Sequence, residues 1–340
     1  MTTTAEPADP AAPPARPDPG VPALRWGDED GCRGGVRRRR FDVEHHGRTV
    51  PGLLWTPGGT CGTVAAGADA PRPLVLVGHG GSGHKGEDHV RALARRLVRR
   101  HGLAAAAIDG PVHGDRRGEP GAPPGLVLLE FAQAWAADGE AMTDAMVADW
   151  RATVDALQGA GVAAQGPVGW WGLSLGTILG LPFVVADSRV RVAVLGLMGL
   201  TGPTRDRIER DAPAVRCPVL FLLQWDDVLF PRDDALALFD ALGTADKRLH
   251  AHPGGHGALP VEAFAASAEF LVEHLGAATA SRTPGAQAGA AARPSRMSDS
   301  VKLPGRQPST AARLARRWTR SLAGVGTPWS RPRSTISPLR

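Results

Sequence analysis

The sequence predicts an α/β fold, built on a mostly parallel sheet of about eight strands with helices on both faces. Two observations support this prediction. Short apolar runs of buried-strand length recur through residues 23–276, and stretches with helical periodicity separate most of them. Strands and helices that alternate in this way form right-handed crossovers, which cover both faces of a parallel sheet.

The predicted strands start with a pair, FDVEHH and VPGLLWT, around a turn at residues 46–48. Six further strand candidates follow: PLVLVGH, LAAAAID, GPVGWWG, RVAVLGL, PVLFLL and KRLHAHP. The predicted helices are GEDHVRALARRLVRRHG, MVADWRATVDALQGAG, LSLGTILGLPFVVAD, RDDALALFDALG and VEAFAASAEFLVEHLG. In the first of these helices the apolar side chains share one face and the arginines take the other, and Gly102 marks its end.

Residues 110–139 interrupt this alternation after the fourth predicted strand. They begin with a glycine- and proline-rich loop and continue as an extra apolar helix, LVLLEFAQAWAADG. An insertion at this point lies above the carboxyl ends of the strands, where open α/β sheets bind ligands. The residues predicted to line an apolar pocket there are Leu126, Leu128, Phe131 and Trp135, together with Trp225; burial in the core is the alternative.

Both ends of the chain have the composition of disordered segments, so the folded domain is predicted at residues 23–276. Residues 277–340 carry 12 of the 39 Lys and Arg and one of the 34 Asp and Glu, which leaves 27 basic and 33 acidic residues before them. The body is therefore net negative and the tail strongly positive. Within the tail, residues 309–323 are either a short basic amphipathic helix or part of a solvated chain.

The sequence gives no indication of export, a membrane span, a disulfide or a metal site. Residues 1–22 lack a basic start followed by an apolar run, and no segment reaches 18 uninterrupted apolar residues, so a cytoplasmic location is expected. The three cysteines share no close spacing. His79, His84 and His89 recur every five residues, a spacing that does not place ligands on one helical face.

One serine has the setting of a catalytic nucleophile. Ser174 lies in the pattern Gly172-Leu173-Ser174-Leu175-Gly176, between a predicted strand and a predicted helix. A sharp strand-to-helix turn lifts the hydroxyl above the sheet, and the glycines avoid the clashes that side chains would make at that corner. Its position at a helix amino terminus favours developing negative charge.

A serine nucleophile needs a histidine base and an acid that orients it. Asp227 follows the strand PVLFLL and His256 follows the last strand, so both are expected at the same sheet edge as Ser174. Position alone leaves Asp226 as an alternative acid. His256 is preferred to His250 and His252 because those two lie within the last strand.

A tetrahedral intermediate also needs hydrogen-bond donors for its oxyanion. The backbone N–H of Leu175 is one candidate. Gly81, in the loop HGGSG at residues 79–83, is the second, because glycine lets the backbone approach a substrate carbonyl closely. A phosphate-binding loop is disfavoured, since neither G-x-G-x-x-G nor G-K-[ST] is present.

With these motifs in place, residues 41–275 resemble the α/β-hydrolase superfamily, in its bacterial dienelactone-hydrolase-like and acyl-esterase-like branch. The resemblance rests on VGHGGSG, AIDGPVHGD, GLSLG, DDVLFP and GGHG. It implies hydrolysis of a small-molecule carboxylic ester without a cofactor, and it favours Asp227 as the acid because the hydrophobic-proline pair Phe230-Pro231 follows three residues later. Dienelactone hydrolases proper usually have a cysteine nucleophile, so their substrate is not expected here.

Other functions remain open at this point. The same groups serve peptidases, amidases and acyltransferases, and a fold alone does not separate these activities. A binding protein that has the fold without catalysis is another alternative. A nucleic-acid or membrane binder that acts through the basic tail is a third, although the acidic body argues against such a surface on the folded domain. The sequence does not indicate an oligomeric state.

Overall fold

The computed structural model describes residues 22–58, 70–117 and 121–276. The predicted disordered ends, the candidate helix at 309–323 and Cys61 lie outside these ranges. Within the described residues, no helix is long and apolar enough to cross a membrane.

The fold is organised around one sheet of nine strands in the order β1-β2-β3-β5-β4-β6-β7-β8-β9. The strands are β1 (Ala23–Arg33), β2 (Val36–His45), β3 (Arg48–Pro57), β4 (Arg72–Gly78), β5 (Ala104–Ile108), β6 (Ala163–Gly172), β7 (Val190–Gly196), β8 (Val219–Gln224) and β9 (Lys247–His252). The first three strands pair antiparallel, and β3 is also antiparallel to β5. From β5 to β9 every pairing is parallel.

Seven α-helices accompany the sheet within the described residues. They are α1 (Asp88–His101), α2 (Pro124–Gly159), α3 (Leu175–Ile178), α4 (Gly180–Ala186), α5 (Arg205–Asp211), α6 (Arg232–Ala241) and α7 (Val261–Gly276). Gly102 ends α1 in the left-handed conformation, with φ of 65°, as its position in the sequence predicts.

The helices cover both faces of the sheet, which confirms the predicted layer arrangement. Side chains of α1 and α7, among them Leu97 and Leu271, pack on one face. Side chains of α2, α4 and α6, among them Trp150, Phe183 and Leu238, pack on the other. The carboxyl ends of the parallel strands meet at one edge between these layers, and the loops that follow them form the candidate site.

The structure corrects the predicted elements in four places. Strand β1 was not predicted because its residues 27–33 are mostly polar or glycine; two register shifts in its pairing with β2 fit this irregular sequence. The insertion therefore follows the fifth strand. Its extra helix and the crossover helix form one long helix, α2, with a kink at Asp138. The helix after Ser174 divides at Leu179 into α3 and α4, and α5 was not predicted.

Candidate active site

Ser174 lies on a strained turn between β6 and α3. Its φ and ψ are 57° and −116°, a conformation that side-chain-bearing residues rarely adopt. A Cβ on Gly172 would lie 2.5 Å from the carbonyl oxygen of Gly176, so the turn closes too tightly for a larger residue. The glycine pattern in the sequence therefore reflects a steric requirement of the turn.

Thr177, which sequence reasoning missed, holds this turn against the next strand. Its hydroxyl lies 2.9 Å from the N–H of Gly196 and 2.8 Å from the Gly196 carbonyl, and it also lies 2.9 Å from the Gly172 carbonyl. The Gly196 carbonyl in turn accepts a 2.9 Å hydrogen bond from the N–H of Ser174. The fully buried hydroxyl thus links the ends of β6 and β7 to the serine backbone.

The structure brings Ser174, His256 and Asp227 together at the carboxyl edge of the sheet. His256 Nε2 lies 3.0 Å from Ser174 Oγ, and His256 Nδ1 lies 2.7 Å from Asp227 Oδ2. A carboxylate accepts hydrogen bonds, so Nδ1 carries the ring proton and Nε2 is left to accept the serine hydroxyl proton. This is the geometry of an activated serine nucleophile.

Asp227 is held in place by the loop that follows β8. Its second oxygen, Oδ1, accepts hydrogen bonds from the backbone N–H groups of Leu229 at 2.8 Å and Phe230 at 3.2 Å. The carboxylate is nearly buried. Both of its oxygens are therefore occupied, one by the loop and one by His256.

Asp226 has a different position. Its Oδ2 accepts a 3.0 Å hydrogen bond from the N–H of Gly254, and its own N–H donates to the Gly254 carbonyl at 3.0 Å. These bonds attach the acid loop to the glycine turn that carries His256. The structure therefore pairs His256 with Asp227, the acid that the resemblance favoured.

The loop at residues 79–83 lies beside the serine turn. A Cβ on Gly81 would lie 3.8 Å from Leu175 Cβ, so the two backbone groups proposed as oxyanion donors are neighbours. Within the described residues, neither the Gly81 nor the Leu175 N–H donates a hydrogen bond. Both N–H groups therefore remain available as hydrogen-bond donors.

His79 fixes the peptide that carries the Gly81 N–H. Its Nε2 accepts from the N–H of Gly110 at 2.8 Å, so its proton is on Nδ1, which donates to the Gly80 carbonyl at 2.8 Å. That carbonyl belongs to the same peptide unit as the Gly81 N–H. Burial, followed by the nearby His113, holds the pKa of His79 well below its ordinary value, so the ring stays neutral.

Further buried polar contacts hold the two loops together. The His113 ring lies 4.9 Å from that of His79, with Nε2 3.0 Å from the Gly81 carbonyl and Nδ1 2.6 Å from the Pro111 carbonyl. Asp109, fully buried, accepts from Lys85 Nζ at 2.5 Å and from the N–H of Asp115 at 2.8 Å. The loops after β4 and β5 are thereby joined.

The insertion contacts the loop at residues 79–83 through Leu128. A Cβ on Gly81 would lie 3.2 Å from Leu128 Cδ2. Phe131 and Trp135, by contrast, are buried in the main core, where their ring centroids lie 5.7 Å apart. Trp225 is about half exposed and packs under the Arg232 guanidinium, 4.2 Å from its ring centroid. Their role as pocket residues stays a prediction.

Metal-binding side chains do not cluster in the part of the chain that the structure describes: no group of three or more His, Cys, Asp or Glu is suitably arranged there. Cys217 is a free thiol. Burial raises the pKa of the Cys217 thiol to about 12, so this thiol is unreactive near neutral pH.

Solved structures, rather than family models or curated proteins, show what the chain is similar to. No protein-family model matches the sequence, and no curated protein does. Among solved structures, the chain is similar to a PEG-bound cold-adapted esterase from an Arctic intertidal metagenomic library, with 40% identity and a TM-score of 0.63 over 74% of this chain and 99% of that one.

Two more distant structures share the fold. Acetyl xylan esterase 1 from Thermoanaerobacterium sp. has 13% identity and a TM-score of 0.54, over 74% of this chain and 88% of that one. A dienelactone hydrolase-like promiscuous phosphotriesterase from metagenomic libraries has 21% identity and a TM-score of 0.52, over 71% and 99%. The 40% identical esterase shows that the chain belongs to the α/β-hydrolase superfamily as an esterase, and the two more distant structures share the fold.

Proposed function

We propose that this carboxylic-ester hydrolase cleaves its substrate through Ser174, His256 and Asp227, by way of an acyl-enzyme. The observation that carries the proposal is the unbroken chain of contacts from the serine hydroxyl through the imidazole to the carboxylate, at 3.0 and 2.7 Å. The 40% identity to an esterase supports the choice of an ester as substrate.

In the first half of the reaction, Ser174 Oγ attacks the ester carbonyl while His256 Nε2 takes the hydroxyl proton. The carbonyl π electrons move to its oxygen, which the N–H groups of Leu175 and Gly81 stabilise. When the tetrahedral intermediate collapses, His256 gives its proton to the leaving alcohol and the acyl group remains on Ser174. Asp227 keeps the imidazole oriented and stabilises its charged form.

In the second half, water replaces the alcohol. His256 takes a proton from water, whose oxygen attacks the acyl carbon, and a second tetrahedral intermediate forms in the same oxyanion site. Collapse breaks the bond to Ser174 Oγ, which recovers its proton from His256, and the carboxylic acid leaves. The enzyme returns to its starting state, and no cofactor takes part in either half.

The proposal is tested with the Ser174→Ala variant and 4-nitrophenyl acetate. Removing the nucleophile of such a triad lowers kcat by about 10⁶-fold, so turnover is expected to fall to background. Circular dichroism checks that the variant is folded. Turnover by the variant near that of the wild type would reject the proposal. Binding of the ester by the wild type without any cleavage would also reject it.

Different substrates, rather than the Ser174→Ala variant, distinguish ester hydrolysis from peptidase, amidase and acyltransferase activity. A panel with matched acyl groups compares an ester, an anilide and a short peptide, and a second assay adds a competing alcohol as acyl acceptor. The proposal expects the ester to be hydrolysed faster than either amide. It also expects water to be the main acceptor, because an acyltransferase would release the new ester instead of the acid.

A further inference from the structure

A cavity lined by arginines lies away from Ser174. It has a volume of about 570 Å³, within the range of small-molecule sites. Its lining residues are Gly31, Arg33, Val36, Arg38, Trp55, Arg91 and Arg95. None of them takes part in the candidate active site.

Strand register places this cavity toward the amino ends of the parallel strands, whereas Ser174 lies at their carboxyl ends. Arg33 pairs with Val36 at the β1–β2 turn, and Val36 pairs with Pro57 at the end of β3. Strand β3 runs antiparallel to β5, so this end of β3 lies beside the start of β5. Ser174 follows the carboxyl end of β6, at the other edge.

Helix α1 adds more positive charge to the same region. A second cavity of about 430 Å³ is lined by Ala92, Arg95, Arg96, Arg99 and Arg100, so Arg95 belongs to both cavities. A Cβ on Gly34 would lie 3.5 Å from Arg95 Nη2 and 3.9 Å from Arg99 Cζ, so these side chains extend over the β1–β2 turn. The two cavities share Arg95, and their lining residues together are called the arginine groove.

Arginine side chains dominate the lining of both cavities. Among the described residues, no Asp or Glu lines either cavity. Arg91 pairs with the exposed Asp88 at 2.5 Å, and Arg95 Nη2 makes a long 3.5 Å contact with the Arg33 carbonyl. Trp55 is 1% exposed. Arg96 Nε is buried and has no hydrogen-bond partner among the described residues.

We propose that the arginine groove binds a small polyanion that carries two or more phosphate groups. Guanidinium groups present planar pairs of donors that match phosphate oxygens, and clustered like charges repel each other unless an anion lies between them. A ligand rich in acceptor oxygens fits a lining rich in guanidinium donors. The negative net charge of residues 1–276 had argued against such a surface, but that total conceals this local excess of arginine.

A concave site of this size favours a small ligand over a macromolecular surface. Inorganic tripolyphosphate is therefore the probe, with ATP as a second arm that separates phosphate recognition from recognition of a nucleoside. Binding is measured by isothermal titration calorimetry on the full chain at low ionic strength. The variants Arg33→Gln and Arg95→Gln remove one guanidinium each; the matched control is Arg205→Gln, on α5, where Arg205 pairs with Glu209.

Tripolyphosphate is expected to bind wild type and the control equally, and each groove variant about tenfold more weakly or worse. Hydrolysis of 4-nitrophenyl acetate is expected to stay unchanged in all three variants, because none of these residues touches the serine site. ATP binding that is as tight as tripolyphosphate binding, or tighter, supports the proposal if Arg33→Gln and Arg95→Gln weaken it in the same way.

Three results would overturn it. The first is no tripolyphosphate binding at millimolar concentration. The second is binding that Arg33→Gln and Arg95→Gln leave unchanged, which would assign it to the basic residues beyond 276. The third is binding to duplex DNA or to phosphatidylglycerol vesicles with none to tripolyphosphate.

Discussion

The hydroxyl of Thr177 contacts both the N–H and the carbonyl of Gly196, at 2.9 and 2.8 Å. That carbonyl also accepts a hydrogen bond from the N–H of Ser174. The backbone of Ser174, which follows β6, is therefore held by the end of the next strand, β7. Gly196 itself has φ of 140°, and a Cβ there would lie 2.1 Å from the Leu222 carbonyl oxygen. The strained serine is therefore supported by a strand end that is itself closely packed.

Thr177→Val is expected to lower kcat about tenfold and the free energy of unfolding by about 1–3 kcal/mol. Valine keeps the shape but leaves the Gly196 N–H without its acceptor. Steady-state kinetics and urea unfolding measure both effects, with KM expected to change little. Thr177→Ser is the matched control, since it retains the hydroxyl; if serine fails to restore kcat, the hydrogen bonds are not what positions Ser174.

Asp227→Asn is expected to lower kcat/KM by about 10⁴-fold, because an amide can donate to Nδ1 and stabilise the wrong imidazole tautomer. Asp226→Asn keeps an oxygen that can accept from the Gly254 N–H, so its loss is expected to be within about tenfold. Both variants are compared with wild type on one ester. Equal losses, or a larger loss for Asp226→Asn, would reject the assignment of the acid.

Leu128→Ala is expected to favour longer acyl chains. The Leu128 side chain lies against the oxyanion loop, so truncating it opens space where the substrate carbonyl would bind. The ratio of kcat/KM for an octanoyl ester to that for an acetyl ester is expected to rise about tenfold. Leu129→Ala, at the neighbouring exposed position, is the control, and the same change in both variants would show that Leu128 has no special role.

Stability is expected to fall as the pH drops from 7 to 5. Burial lowers the pKa of His79 and also that of His113, so below about pH 6.5 the unfolded chain binds protons that the folded chain does not. Each such group contributes a slope of up to about 1.4 kcal/mol per pH unit. Carboxylates with lowered pKa, such as Asp115, lose their contribution at lower pH.

The variant His79→Gln isolates this effect. Glutamine does not titrate, so the loss of stability between pH 7 and pH 5 is expected to be smaller than in wild type, whatever the stability at pH 7. Urea unfolding at each pH gives the comparison. A slope in the variant equal to that of wild type would show that His79 is not held neutral by burial.

The order of elements in the sequence predicted that Ser174, Asp227 and His256 would lie close together, but it did not predict the contacts that hold their loops in place. Ser174, Asp227 and His256 each follow directly after an apolar strand, and parallel strands bring their carboxyl ends to one edge, so convergence followed from the order of elements. The bonds from Thr177 to Gly196 and from His79 to Gly80 and Gly110 depend on which backbone groups face each other. No local pattern encodes that pairing.

Strand β1, the long helix α2 and the arginine-lined cavity show the same limit of prediction from the sequence. Strand β1 escaped prediction because its polar residues lack apolar alternation, and its place at the sheet edge comes from pairing with β2. The kink at Asp138 joins two helices that the sequence treated as separate. Arg33 and Arg95 are far apart in the chain, so summing charge along the sequence did not reveal that they line one cavity.

The most direct test of the central claim is intact-protein mass spectrometry after treatment with a fluorophosphonate ester, followed by peptide mapping. The account predicts one covalent adduct, on Ser174, formed in step with the loss of ester hydrolysis and much more slowly in His256→Ala. An adduct on another residue, or full hydrolysis in protein that carries the adduct on Ser174, would contradict it.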